Sequence, residues 1–295
     1  MKRVITTLSL SIYVSTLLSQ FIIRSSLNLP RGGDRIERQE IVCGDVSAIG
    51  EDVYWDFSGS RPFDNKQSSE FFSLGDSCQT LYRVDESTQE TYAVNKDTLF
   101  MTCFESNLWK MSFLNPVAKI AYPMSFGDSL SSPVHIRYVN CGNAVQYLTG
   151  IYTVKADAWG TLILPDCDTL RQVLRICSIL RTAHWEGRNY QWYAAGYRYP
   201  IIESQYYEQE GKSPFWQSYC CPPEAQIILD DELNEQIRDT LLMSQRMNME
   251  GVSSVRLYLT KERNLKIVHS GLVTNRTGIY SQGGTAVRQT KKDKQ

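Results

Sequence analysis

The sequence predicts an all-β protein, built as an antiparallel β-sandwich or open barrel with a small C-terminal β-module. Apolar and polar residues alternate with a period of two over residues 152–157, and again around Tyr92 and Val94. Turn-forming pairs such as Ser58–Gly59 and Gly127–Asp128 recur at short intervals, which is typical of antiparallel strands. The 17 tyrosines suit half-buried sheet surfaces, where the ring is dry and the hydroxyl is wet.

The first 19 residues have the pattern of a secretory signal peptide. Lys2 and Arg3 form a basic start, an apolar stretch follows, and no acidic residue appears before Asp34. We therefore expect cleavage after Ser19 and export to the periplasm, the outer-membrane surface or the medium, with no membrane-spanning segment left in the mature chain. An uncleaved membrane anchor is the alternative, because the stretch has about the length that spans a bilayer.

The next segments divide the mature chain into a leader and a main domain. Residues 20–42 are polar and contain Pro30 and two glycines, so we interpret them as a flexible leader. Residues 43–225 are predicted to form the main antiparallel domain. Within it, strands at Arg171–His184 and Tyr190–Tyr199 would form a hairpin whose turn is Gly187–Asn189.

The C-terminal part reads as a separate small unit. Residues 226–250 are interpreted as a linker or as a short amphipathic helix, since apolar residues recur every four positions from Leu229 to Leu241. Strand patterning returns at Val255–Leu259 and at Leu265–Ile267. We therefore predict a small β-hairpin module with a basic tail over residues 251–295.

Composition argues against several functional classes. The net charge of −1 disfavours a nucleic-acid partner, because neutralising phosphates requires a surplus of Lys and Arg. The eight cysteines never show a C-x₂-C spacing, and only three histidines could join them in a metal site. Nucleotide-binding glycine loops and the nucleophile elbow of hydrolases are absent from the sequence. We therefore predict no catalytic residue, no cofactor and no metal.

Three motifs stand out along the main domain. They are Trp55–Ser58, then Tyr122–Ser129, and then Ala156–Pro165 followed by Val173–Arg175. Together they resemble a family of uncharacterised secreted proteins from Bacteroidetes-type bacteria, over roughly residues 43–210. The resemblance implies an all-β exported domain of no known activity, often followed by a type IX secretion sorting domain.

The motif residues have structural roles in the first place. Gly160 permits a tight turn or a close approach of another backbone segment, and Pro165 ends a strand at a turn. Trp55 and Phe57 lie two residues apart, so both side chains can enter one core.

A run of aromatic residues in the second half supplies the candidate site. We select Trp185, Tyr190, Trp192 and Tyr193 as possible ligand contacts, since exposed aromatic rows mark interaction surfaces. The partner is unknown, with a glycan or a peptide as candidates. The predicted function is a non-enzymatic binding or structural role. The alternatives are an exported carbohydrate-active enzyme, which needs paired carboxylates, and a lipocalin-like carrier of a small apolar ligand, which needs an internal cavity.

Overall fold

A computed structural model describes residues 21–74, 80–140 and 144–227, together with the backbone of three strands between residues 254 and 280. The predicted signal peptide and most of the predicted linker lie outside these residues. The described helices are α1, Ser25–Asn28, and a 3₁₀ turn at Pro223–Ala225. Among the described residues, no helix has the length and apolarity needed to cross a bilayer.

The remaining elements are strands. In chain order they are β1 Arg35–Ile41, β2 Gly50–Asp56, β3 Pro62–Leu74, β4 Thr80–Val84, β5 Thr88–Asn95, β6 Thr98–Ser106, β7 Trp109–Ala121, β8 Ser129–Asn140, β9 Val145–Ile163, β10 Thr169–Thr182, β11 Trp185–Tyr193, β12 Ile202–Gln209, β13 Phe215–Cys220, β14 Gln226–Ile227, β15 Ser254–Leu259, β16 Leu265–Ser270 and β17 Ile279–Tyr280. The prediction of an all-β fold is confirmed.

Twelve of the described strands close into one antiparallel barrel. Their order around the barrel is β10-β11-β12-β13-β1-β3-β4-β5-β6-β7-β8-β9, and β9 pairs back to β10. The sequence predicted a sandwich or an open barrel, whereas the ring is closed. Closure pairs both edges of every strand in the ring, which removes the free edges that would otherwise attract other chains.

Strand β2 lies outside the barrel and pairs in parallel with the last residues of β9, with Trp55 opposite Leu162. This edge of β9 is open because β8 pairs only with residues 145–155. Gly160 makes the pairing possible, since a Cβ at this position would lie 1.9 Å from the carbonyl oxygen of Val53. The predicted close backbone approach at Gly160 is therefore confirmed.

Buried apolar side chains form two separate clusters. The interior core fills the barrel and includes Ile36, Phe71, Leu99, Ile120, Met124, Val134, Ile136, Val154, Leu174, Ile176 and Leu180. The outer core lies between the barrel wall and β2 and includes Ile41, Trp55, Phe57, Ala158, Leu162, Val173, Tyr190, Trp192 and Ile202. As predicted, Trp55 and Phe57 share one core, where both rings meet Trp192 edge-on at 6.0 and 5.5 Å.

A layer of charged side chains crosses the middle of the barrel interior. Its members are Arg38, Arg83, Asp85, Glu90, Lys119 and Glu203. Lys119 Nζ lies 3.0 Å from Glu90 Oε2, and Arg38 Nη1 lies 3.3 Å from Glu203 Oε2. The three cations match the three carboxylates, so the layer is neutral as a whole and its charges are paired, as burial requires.

The N-terminal segment closes the end of the barrel that we call the lower end. Ile23 and Met124 exchange two backbone hydrogen bonds of 2.9 Å. The buried Asn28 amide donates to the carbonyl oxygen of Tyr197 at 2.8 Å, and the Tyr199 hydroxyl donates to the buried Asp34 carboxylate at 2.7 Å. The interpretation of residues 20–42 as a flexible leader is therefore wrong for the described part, which holds α1, β1 and the plug of the barrel.

The hairpin predicted in the second half exists, but its turn was misplaced. Strands β10 and β11 pair antiparallel, with Leu180 opposite Gly187, so Gly187–Asn189 lies within β11. The chain reverses at residues 183–184 instead, where the Thr182 hydroxyl accepts hydrogen bonds from the backbone of His184 and Trp185. Gly187 serves packing, because a Cβ there would lie 3.2 Å from the Trp185 ring.

The C-terminal strands form their own small sheet. β15 pairs antiparallel with β16, which places a hairpin where the sequence predicted one, and β17 adds a third strand of two residues. The short strand β14, at the start of the predicted linker, pairs with β1 of the barrel.

Candidate functional site

The candidate site is a groove on the outside of the barrel. It has a volume of about 750 Å³ and lies between residues 43–49 and the outer wall formed by β10, β11 and β13. Two cavities inside the barrel are smaller, at about 40 and 100 Å³. Ligand sites commonly measure about 300–1,000 Å³, so the outer groove has the size of a small-molecule site.

The floor of the groove is a buried ion pair between the third motif's two halves. Arg175 donates to Asp157 through Nε–Oδ1 at 2.8 Å and Nη2–Oδ2 at 3.0 Å. Asp157 on β9 can contact Arg175 on β10 because a bulge interrupts the register of the two strands next to Arg175. Two parallel bonds of this kind fix both the distance and the orientation of the pair.

The other wall of the groove, residues 43–49, is held by three contacts with motif residues. Arg175 Nη1 donates to the Val46 carbonyl oxygen at 2.6 Å, and Trp55 Nε1 donates to the Ala48 carbonyl oxygen at 3.2 Å. Gly44 lies against Phe57, whose ring would be 2.8 Å from a Cβ at that position. The wall is therefore built on the barrel, so the groove has a defined shape.

An aromatic surface adjoins the floor. The rings of Tyr190 and Trp216 lie nearly parallel, at an angle of 14° and a centroid distance of 6.3 Å, and Tyr206 adds a third ring 4.7 Å from Trp216. Opposite Tyr190, the intervening strand β12 carries the small, buried Ser204, which is hydrogen-bonded to Ser218 at 2.8 Å and leaves room for the indole. Trp216 is 41% exposed whereas Tyr190 is 9% exposed, so the indole is the ring of this pair that a ligand can reach.

Both arginines in the groove are neutralised. Arg175 is paired with Asp157, and Arg188 Nε lies 2.5 Å from Glu186 Oε1. The remaining charged side chain in the described lining of the groove is Asp45, which forms no ion pair there. The groove thus offers polar donors and acceptors with little net charge.

The groove carboxylates are not arranged for acid–base catalysis. Asp157 is held by Arg175. Burial alone would raise the pKa of Glu186, but hydrogen bonds from Arg181 and Arg188 bring this pKa below its ordinary value. The general acid of a glycosidase requires a raised pKa instead.

Two thiols, Cys43 and Cys177, also line the groove. Burial, reinforced by the nearby Asp157, raises the pKa of the Cys177 thiol to about 12. Cys177 therefore stays protonated at neutral pH and is a poor nucleophile.

The four aromatic residues selected from the sequence lie in four different places. Tyr190 belongs to the groove, and Trp192 is fully buried in the outer core. Trp185 lines the upper cavity of the barrel, while Tyr193 lines the lower one. Arg175, Asp157 and residues 43–49 were not recognised from the sequence as parts of one site. The third motif contains both Arg175 and Asp157 and could have indicated them.

Comparisons with family models, with curated proteins and with solved structures find no match for this chain.

Proposed function

We propose that this protein is a non-enzymatic binding module that takes a neutral carbohydrate into the outer groove. The observation that carries the proposal is the 41% exposed indole of Trp216, which lies nearly parallel to Tyr190 beside two neutralised arginines. The same proposal includes export from the cytoplasm, which rests on the signal-peptide pattern of residues 1–19. An exported protein would meet polysaccharides at the cell surface or in the medium.

The aromatic surface fits the shape and polarity of a sugar ring. One face of a pyranose presents C–H groups that carry a slight positive charge, and the face of an indole or phenol ring is negative. Trp216 and Tyr190 come from different strands of the closed barrel, so the surface is rigid before the ligand arrives. A preformed surface lowers the entropy cost of binding.

The polar groups of the groove fit hydroxyl groups rather than a charged ligand. A sugar hydroxyl both donates and accepts hydrogen bonds, and the groove supplies the 37% exposed guanidinium of Arg188 as a donor and the partly exposed carboxylate of Asp157 as an acceptor. An anionic ligand would have to compete with Asp157 for Arg175, at the cost of breaking a buried ion pair.

A peptide ligand is supported less well by the same surface. Extended peptides often bind by adding a strand to a free sheet edge. The wall of the groove consists of β10, β11 and β13, and each of these strands is paired on both sides within the ring. Their backbone groups are therefore already used.

The test is a glycan array probed with the full chain and with two matched variants. Trp216→Ala removes the 41% exposed indole, whereas Phe215→Ala removes a 53% exposed ring from the opposite face of the same strand. We expect the parent and Phe215→Ala to bind the same neutral glycans and Trp216→Ala to lose at least about ten-fold in affinity, as for an aromatic contact worth about 1.5–2 kcal/mol. Silence of the parent chain across the array, or binding unchanged by Trp216→Ala, would overturn the proposal.

A further inference from the structure

The upper half of the barrel contains a second concavity, which shares only Arg188 with the lining of the outer groove. It measures about 100 Å³, and its walls include Met101, Met111, Leu180 and Trp185. The charged layer forms its floor through Glu90, Lys119 and Glu203. The cavity is therefore an apolar chamber with a polar end, the arrangement that orients small ligands.

One polar atom in this chamber has no partner. Asn189 Nδ2 donates to Glu203 Oε1 at 2.9 Å, while Asn189 Oδ1 is buried and accepts no hydrogen bond. The amide cannot be turned round to relieve this, because a carboxylate only accepts hydrogen bonds and Oδ1 would then face Glu203. A buried acceptor left unsatisfied is costly and calls for a donor.

Glu203 is itself held in place by further hydrogen bonds, so it keeps Asn189 in this orientation. Its carboxylate already accepts from Arg38 and from Gln205, in addition to Asn189, and it belongs to the neutral layer. The orientation of Asn189 is thus fixed by a group that is itself fixed, so the acceptor is preorganised for a ligand.

The chamber can be reached from the upper end of the barrel. The N-terminal segment closes the lower end with the fully buried Ile23 and Asn28. At the upper end, Tyr207 borders the chamber and is 42% exposed, and Trp185 is partly buried. A ligand would pass these two side chains on its way in.

We propose that this chamber binds a small molecule of about one ring in size, with an apolar body and one O–H or N–H donor that bonds to Asn189 Oδ1. An apolar cavity of about 150 Å³ admits benzene, so a chamber of about 100 Å³ takes a single ring with small side-chain shifts. The donor end faces the charged layer, and the ring lies among the methionine and tryptophan side chains.

The experiment titrates the full chain, labelled with ¹³C at the methionine methyl groups, with phenol and separately with benzene. The two probes share a ring and differ in the donor. Met101 and Met111 line the chamber, while Met124 is buried in the interior core outside the chamber's lining and serves as the internal reference. We expect both probes to shift the Met101 and Met111 signals, and phenol to bind about five- to ten-fold more tightly, as one hydrogen bond of about 1 kcal/mol provides.

A chamber-filling variant, Leu180→Phe, should abolish both titrations. Equal affinities for phenol and benzene would contradict the role of Asn189, and signals of Met101 and Met111 that stay unchanged would remove the site itself. Binding that persists at full strength in Leu180→Phe would place the probes elsewhere. The first two outcomes are read from the parent chain, so the proposal stays testable even if the variant does not fold.

Discussion

The guanidinium of Arg175 lies over the ring of Trp55, with 5.7 Å between its carbon and the ring centroid, although the two residues are far apart in the sequence. The same guanidinium lies 5.2 Å from the centroid of Tyr190 and 5.8 Å from that of Trp192. A single cation thus joins β2, the barrel wall and the aromatic surface.

Removing the charge of Asp157 should destabilise the fold strongly. In Asp157→Asn, Arg175 keeps its position but loses its counter-charge, and its side chain is fully buried. Leaving one partner of a buried pair uncompensated costs about 3–5 kcal/mol. The free energy of unfolding in urea measures this.

The matched control is Glu105→Gln, which breaks the exposed Lys110–Glu105 pair, where both side chains are 43% exposed. Exposed pairs of this kind contribute less than about 1 kcal/mol. Similar losses in the two variants would contradict a structural role for the Asp157–Arg175 pair.

Adding one methyl group at Gly160 should detach β2 from the barrel. In Gly160→Ala the new carbon would lie 1.9 Å from the Val53 carbonyl oxygen and 2.6 Å from its nitrogen, and backbone atoms cannot rotate away. We expect a loss of about 3 kcal/mol together with faster hydrogen exchange in β2.

Gly59→Ala is the control for this variant, because a Cβ at Gly59 has nothing within 4 Å. Its stability should stay within about 0.5 kcal/mol of the parent. Normal exchange protection of β2 in Gly160→Ala would disprove the close packing of the two strands.

The charged layer should make the protein sensitive to acid. Burial alone would raise the pKa of Glu90, but Lys119 and Arg83 bring this pKa down to about 2, below its ordinary value of 4.5. A lowered carboxylate pKa stabilises the fold above the unfolded-state pKa, and this contribution is lost as the pH falls toward 2. The free energy of unfolding should therefore drop between about pH 5 and pH 2, by on the order of 3 kcal/mol from this group.

Glu90→Gln removes the titrating group while keeping the shape of the side chain. This variant should be less stable at neutral pH and should show a flatter acid profile than the parent. Parallel profiles for the two proteins would show that Glu90 does not carry the acid sensitivity.

The described thiols should differ widely in reactivity. Burial raises the pKa values of Cys177, Cys220 and Cys221 to about 12, whereas Cys167 is exposed on the turn between β9 and β10. At pH 8 a thiol with a pKa of about 12 is ionised to about one part in 10⁴. Maleimide labelling followed by peptide mapping should modify Cys167 at least about 100-fold faster than these three.

The same reaction in urea supplies the control, since unfolding should make the four rates similar. Fast labelling of Cys177 in the folded protein would mean that the outer core opens readily.

The strands were predictable where one face of the sheet is apolar, as at Val154 and Ala156, which point into the interior core. The same reasoning failed for β1, because its inward side chains include Arg38 of the charged layer while Arg35 and Glu37 are exposed. With Ile36 and Ile41 as its two apolar residues, one in each core, β1 has no run of apolar residues with a period of two, and the segment therefore resembled a leader.

Closure of the barrel and assembly of the groove depend on contacts that local patterns do not encode. β9 and β10 form a local hairpin, whereas the ring is completed by the pairing of β1 with β13, where Gln39 lies opposite Cys220; turn residues and alternation leave this long-range pairing open. The aromatic content of the sequence pointed to Tyr190. Only the folded chain brings Trp216 next to Tyr190 and the Val46 carbonyl oxygen to Arg175.

The most direct test of the carbohydrate-binding groove is ¹⁹F NMR of the chain labelled with 5-fluorotryptophan. The six tryptophans occupy distinct environments, which include the open Trp216, the fully buried Trp192 and Trp185 inside the barrel. Titration with a neutral glycan selected on the array should shift the Trp216 signal in proportion to binding and leave that of Trp185 unchanged. A glycan that binds while the Trp216 signal stays fixed would contradict the account.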